Sequence, residues 1–250
     1  MEFYMNMTNK KWEDIAADFG SDFLKENFMG PNSMMIMAEL AESLDIHEGM
    51  KVLDLGCGKG LTSFYLAKYF NVMVFATDLW ISATENYERV KQLGLEEKVF
   101  PIHAEALSLP YANEYFDLAV SVDAYHYFGT DEYYLDNHLA PLVKKGGQIA
   151  IAVPGVTEGY DKNGPSEALK KHPYGVNGEF QTFKSNAWWN RVWVRSGAVE
   201  GIKSFDLKCH KAAWDEWLYS GNETGEEDIP FIEADTDNQL AIVAVVAKKI

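Results

Sequence analysis

Between Lys51 and Gly60 the chain reads Lys-Val-Leu-Asp-Leu-Gly-Cys-Gly-Lys-Gly, and no other stretch restricts the fold so narrowly. Val52, Leu53 and Leu55 make the apolar part of a buried strand. Leu61 to Phe70 follows as a helix, with apolar residues recurring at Leu61, Phe64, Tyr65 and Phe70. Three glycines lie between the two elements. A residue without a Cβ admits positive φ and lets a ligand lie flat against main-chain atoms. The free N–H groups of a helix start would suit a pyrophosphate. A dinucleotide site wants Gly-x-Gly-x-x-Gly, however, whereas Gly56, Gly58 and Gly60 fall at every second residue and Asp54 is still on the strand.

The same strand-then-helix alternation continues downstream. Asn71 to Asp78 is a β-branched and aromatic run ending in an acid, about twenty residues beyond the glycines, where a carboxylate can accept both hydroxyls of a ribose. The competing role for Asp78 is a cap on the next helix, Ile81 to Leu93, which closes at Gly94. Val99 to Ala106 and Tyr115 to Asp123 supply two more strands. Thr130-Asp131-Glu132 then caps a predicted helix ending near Pro141 to Lys145, and Gly146-Gly147 turns the chain into Gln148 to Val153. Strands alternating with helices over residues 50–155 predict an α/β, doubly wound parallel sheet with right-handed crossovers. Ligands of such sheets sit at the carboxyl ends of the strands.

Asp54-Leu-Gly-Cys-Gly-Lys-Gly60 resembles the first motif of the class I S-adenosylmethionine-dependent methyltransferases. Ala104-Glu105-Ala106, ahead of Leu109-Pro110-Tyr111, is similar to the third motif, with Glu in place of the commoner and shorter Asp. Phe116-Asp117-x-x-x-Ser121 resembles the fourth, and Leu142-x-x-Lys145-Gly-Gly-x-Ile149 is again typical of the family. The resemblance covers about residues 30–155 and implies a seven-stranded, mostly parallel sheet. By analogy its last strand, Leu240 to Ala247, runs antiparallel between the fifth and sixth. It also implies S-adenosyl-L-methionine as cofactor: Asp54, Gly56, Cys57, Gly58 and Gly60 near the amino-acid part, Asp78 and Leu79 at the adenosine, Ala104, Glu105 and Ala106 at the adenine, and Ser121 at the methionine. The implied activity is methyl transfer to a small-molecule acceptor by in-line displacement, releasing S-adenosylhomocysteine. His126 follows the fourth strand in Asp123-Ala-Tyr-His-Tyr-Phe128 and is the candidate base for an acceptor proton; Tyr125, Tyr127 and Phe128 offer ring faces to a cation.

Composition narrows the alternatives. At 250 residues and 47% apolar content the chain can fill one large domain. We expect a helical N-terminal lid over 1–45, a cofactor-binding core over 46–155, an acceptor cap with late strands over 156–239, and the last strand over 240–250. Lys and Arg number 22 against 38 acids, a net charge of 22 − 38 = −16, which disfavours nucleic acid. Cys57 and Cys209 give neither a disulfide framework nor metal spacing, and a reduced, cytoplasmic setting is the simplest expectation. The first residues lack a signal-peptide pattern, and no apolar run is long enough to span a membrane. Trp189 with Trp193, and Trp214 with Trp217, have helical spacing and read either as core or as a substrate-facing wall. A nicotinamide-dependent oxidoreductase, disfavoured by the glycine spacing, and a non-catalytic cofactor-binding protein are the rival functions.

Overall fold

The computed structural model describes residues 11–171 and 179–250, so Phe3, Tyr4, Pro173, Gly175 and Gly178 lie outside the described residues. β1 (Lys51–Leu55), β2 (Met73–Asp78), β3 (Val99–His103), β4 (Phe116–Val122), β5 (Val143–Val156), β6 (Val199–Asp206) and β7 (Leu240–Lys249) join one seven-stranded sheet in the order β3-β2-β1-β4-β5-β7-β6. The β1, β2, β3, β4 and β5 pairings are parallel, and β7 runs antiparallel to both β5 and β6. The order reverses at β1, between β2 and β4, so the carboxyl ends of those strands open a crevice. Leu240 to Ala247 is buried at every position because both faces of the sheet are covered there.

Local chemistry accounts for the elements around that crevice. α4 (Leu61–Phe70) starts from Gly60 and stops at Asn71, both left-handed. α5 (Ala83–Gln92) starts at Ser82, whose hydroxyl accepts from the Glu85 amide while the Glu85 carboxylate accepts from the Ser82 amide, a reciprocal capping box. Ser82 thereby takes the capping role that competed for Asp78. One predicted helix differs: after Thr130 the chain forms a π-helical turn, Leu135–Leu139, and a single 3₁₀ turn, Ala140–Leu142. Pro141 lacks the N–H that a longer α-helix would need there.

The N-terminal aromatics are part of the core. α1 (Trp12–Phe19) and α2 (Ser21–Asn27) lie along α4, with Phe19 edge-on to Tyr69 at 6.2 Å and Phe23 against Phe64 at 6.1 Å. α3 (Ser33–Ala41) follows, capped by the Asn32 side chain. The stretch expected to form a cap divides. The helix Asn186–Ser196 and β6 return to the sheet, with Trp189 and Trp193 wholly buried, while Trp214 and Trp217 enter the core on the opposite face. All four tryptophans are therefore core. Val156, Leu169, Phe180, Phe231 and Leu240 make a separate, smaller cluster.

Candidate active site

The crevice holds a cavity of about 340 Å³, a size suited to a small ligand, walled by the glycine loop and the ends of β2, β3 and β4. Gly56, Cys57 and Gly58 line it, and Gly60 does not. Gly56 (φ 73°), Gly58 (φ 53°) and Gly60 (φ 91°) are all in the left-handed region that disfavours a side chain. Protein atoms also occupy the room their missing side chains leave. A Cβ on Gly56 would overlap the Ala124 methyl, one on Gly58 would stand 3.1 Å from Met29 Sδ, and one on Gly60 would stand 2.7 Å from the Phe64 ring. Gly60 thus makes room for the helix's own phenylalanine, a correction to its expected place at the ligand.

The loop's amides are already engaged. Gly56 and Cys57 donate to the Thr77 carbonyl at 2.8 and 3.1 Å, Gly60 donates to the Cys57 carbonyl at 2.9 Å, and Gly58 donates to Asp78 Oδ2 at 2.8 Å. Those four N–H groups are not available to an anion. Asp78 Oδ1 accepts from the amides of Trp80 and Ile81 at 2.8 and 2.9 Å, so this carboxylate clamps the glycine loop to the end of β2 while still lining the cavity. Asp54 lies behind the loop, fully buried. Its Oδ2 accepts from the hydroxyls of Thr62 and Ser63, and its Oδ1 has no partner. Burial pushes its carboxyl up to about 6, against the opposing Ser63 and Thr62 hydrogen bonds. Asp54 does not line the cavity, which corrects its expected place against the ligand; its connection to the cavity runs through Thr62, which does line it.

Leu79, Ala104, Glu105 and Ala106 line the cavity, with Leu79 half exposed. Ser121 does not. Its hydroxyl donates to the Leu55 carbonyl at 2.7 Å inside the sheet, so it holds β4 to the end of β1 instead of meeting a ligand. His126 also departs from its expected place. It is 1% exposed and absent from the cavity lining, with its ring 4.1 Å from Tyr127 and edge-on to Phe183 at 5.9 Å. Desolvation by burial lowers its pKa to about 3, which makes it a poor proton acceptor. Tyr125 likewise turns into the core beside Trp189, while Tyr127 and Phe128 face the cavity.

The buried imidazole has a consequence for stability. Above pH 6.5 His126 is neutral both folded and unfolded; below it the unfolded chain takes up a proton that the folded one refuses until near pH 3, and stability drains across that window. Asp54 acts oppositely, because the folded protein takes its proton first between about 6 and 3.8; that contribution is present at low pH and lost as pH rises through 6. His126→Phe removes only the first effect. Between pH 7 and 5, urea unfolding of this variant is expected to lose less stability than wild type, by about 1–2 kcal/mol. Equal losses would show that His126 takes up its proton freely in the folded state.

Several site residues escaped the sequence reading. Asn86 Nδ2 donates to the Gly58 carbonyl at 2.8 Å, Arg89 donates to Asn86 Oδ1 at 3.0 Å and to Asn27 Oδ1 at 2.7 Å, and Lys59 Nζ donates to the Glu26 carbonyl at 2.8 Å. α5 thereby ties the glycine loop to α2. Met29, Gly30 and Pro31 close one side of the cavity, and Asp123 lies on its wall. Asn27 is separated from Arg89 by 62 residues, and no local pattern announces such a bond.

Comparison with known proteins places this geometry among others. A family model described as a methyltransferase domain matches residues 52–147, and one described as protein-L-isoaspartate(D-aspartate) O-methyltransferase matches residues 2–99. Methyltransferase GfsG of Streptomyces halstedii is 33% identical over 115 residues, 46% of this chain and 41% of the relative. The tRNA (carboxymethyluridine(34)-5-O)-methyltransferase of Saccharomyces cerevisiae is 26% identical over 123 residues, 48% of this chain and 40% of the relative. The chain thus spans about two-fifths of the length of these curated relatives. Among solved structures, geranyl diphosphate C-methyltransferase from Streptomyces coelicolor A3(2), in complex with Mg2+, geranyl-S-thiolodiphosphate and S-adenosyl-L-homocysteine, superposes with a TM-score of 0.69 at 16% identity, covering 88% of this chain and 77% of that one. At that identity the likeness is one of fold.

Proposed function

We propose that this chain, whose residues 52–147 match a methyltransferase-domain model, is a class I S-adenosylmethionine-dependent methyltransferase that transfers the methyl group of S-adenosylmethionine to a small-molecule acceptor by in-line displacement, releasing S-adenosylhomocysteine. The observation that carries this reading is the state of the glycine loop. Its amides at Gly56, Cys57, Gly58 and Gly60 donate within the protein, and carboxylates border the cavity at Asp78, Glu105 and Asp123. A pyrophosphate would meet engaged donors and like charge, whereas a sulfonium with an ammonium group meets charge of the opposite sign. The nicotinamide-dependent alternative is disfavoured on that ground.

The cofactor supplies an already activated methyl group when bound; the protein's part is to bind, orient and exclude water. Asp78 would accept the ribose hydroxyls, with Gly58, Trp80 and Ile81 amides fixing its carboxylate. Asp54, set behind the cavity wall, would act on the amino-acid end only by orienting the Thr62 hydroxyl. Leu79 and Ala104 to Ala106 would border the adenine, and Tyr127 and Phe128 would flank the reacting end. His126 is not needed as a base in this reading. A small acceptor is preferred to a tRNA because a chain of net charge −16 repels a phosphate backbone. Both cysteines are free thiols, which supports a reducing, cytoplasmic setting, and no helix among the described residues is long and apolar enough to cross a membrane.

Calorimetric titration with S-adenosylhomocysteine, S-adenosylmethionine and NAD tests the reading. The first two are expected to bind and NAD to give no heat of binding; the reverse would reject it. Transfer of a labelled methyl group across amines, thiols and hydroxy acids then tests catalysis, since cofactor binding without transfer to any of them favours the non-catalytic alternative.

A further inference from the structure

Asp78, the proposed ribose acceptor, is the last member of a hydrogen-bond relay that begins at the N-terminal wall of the cavity. Asn27, at the end of α2, lines the cavity and is 7% exposed. Its Nδ2 donates to the Phe23 carbonyl of its own helix at 2.7 Å, and its Oδ1 accepts from Arg89 Nε at 2.7 Å. Arg89 Nη1 donates to Asn86 Oδ1 at 3.0 Å, Asn86 Nδ2 donates to the Gly58 carbonyl at 2.8 Å, and the Gly58 amide donates to Asp78 Oδ2 at 2.8 Å. Asn86 is 2% exposed, and neither it nor Arg89 lines the cavity. The relay therefore passes behind the glycine loop, through α5, and reaches the cavity at both of its ends. Two further contacts join the same two walls: Lys59 Nζ donates to the Glu26 carbonyl at 2.8 Å, and Met29 Sδ stands 3.1 Å from where a Cβ on Gly58 would be.

An arginine suits the centre of this relay because its planar fork carries several N–H donors at fixed angles, here one for each of two amide oxygens. Both asparagines are buried, so neither oxygen has water to turn to if the guanidinium leaves, and members of such a network hold one another in place. We infer that Arg89 is a positioning residue of the cofactor site: it fixes the wall at Asn27, Met29 and Pro31 to the glycine loop and, through Gly58, to the Asp78 carboxylate, and its fork sets how slowly a ligand held at Asp78 is released. A ligand-contacting group keeps its geometry only when the groups behind it are themselves held. The inference rests on the reading of Asp78 as a cofactor contact and adds what governs release from that contact.

The test is stopped-flow binding of S-adenosylhomocysteine to the full chain, followed by tryptophan emission, since Trp80 lines the cavity. Arg89→Met keeps an apolar stem and removes both hydrogen bonds; it is expected to speed dissociation about ten-fold while association changes by less than about two-fold. Arg89→Lys keeps the charge, but one ammonium does not reproduce the fork, and release is expected to be nearly as fast. Adding Asn86→Leu to Arg89→Met should speed release by less than the product of the two single effects, because Arg89 acts through Asn86. Unchanged dissociation in Arg89→Met, even with a lowered melting temperature, full rescue by lysine, or effects that simply multiply would each overturn the inference. Hydrogen exchange in the wild type decides without any variant: S-adenosylhomocysteine is expected to slow the amides of α5, which lies outside the cavity lining, and protection confined to the lining segments would overturn the inference too. Failure of the underlying reading looks different: wild type would then not bind S-adenosylhomocysteine in the first place.

Discussion

Gly56→Ala is expected to lower folding stability by about 2–5 kcal/mol, combining a left-handed backbone penalty of about 1–2 kcal/mol with an overpacking cost of about 1–3 kcal/mol. Gly56 has φ 73°, and its added methyl would be driven into that of Ala124. In a chain of this size the melting temperature should fall by about 5–15 °C. Two comparisons separate the causes. Gly146 has φ 75° and open space, with nothing within 4 Å of where its Cβ would stand, so Gly146→Ala should show the backbone penalty alone. Adding Ala124→Gly to Gly56→Ala should recover the steric part. A Gly56→Ala protein that melts like wild type would mean that β1 and the segment after β4 are not pressed together as described.

Asp78→Ala is expected to raise the dissociation constants of S-adenosylmethionine and S-adenosylhomocysteine alike, by about 10- to 100-fold, the loss of hydrogen bonds to a charged acceptor. The substitution acts twice. It removes the proposed ribose acceptor and frees the amides of Gly58, Trp80 and Ile81 that now donate to this carboxylate. Asp78→Asn keeps one oxygen for part of that set and should fall between the two. Calorimetry with both ligands decides: unchanged affinity would leave Asp78 a clamp between two loops with no ligand role, and a loss confined to S-adenosylmethionine would point to the sulfonium instead of the ribose.

Much of the site's frame was readable along the chain. The strand at Val52 to Leu55, the glycine turn, the helix Leu61 to Phe70 and the acid closing β2 depend on side-chain periodicity and turn preference, which act over a few residues. The direction in which a side chain points after a strand ends is not of that kind. Tyr127 and Phe128 face the cavity while Tyr125 and His126, their immediate neighbours, turn into the core. Ser121 follows the family's motif, yet its hydroxyl is taken by a carbonyl 66 residues away.

The amino-acid sequence by itself determined the α/β alternation, the carboxylates at the ends of β1 and β2, and Leu240 to Ala247 as a buried strand, because local hydrophobic pattern and backbone preference specify elements, while the place of that strand between β5 and β6 followed only from the resemblance to the family. Only the tertiary structure decided which groups line the cavity. The loop amides were claimed by Thr77 and Asp78, Gly60 made room for Phe64, His126 was sealed behind Tyr127, and Asp123 was set against Gly30. Each of those outcomes depends on atoms distant in sequence competing for the same space or the same hydrogen bond, and that competition exists only once the chain has closed on itself.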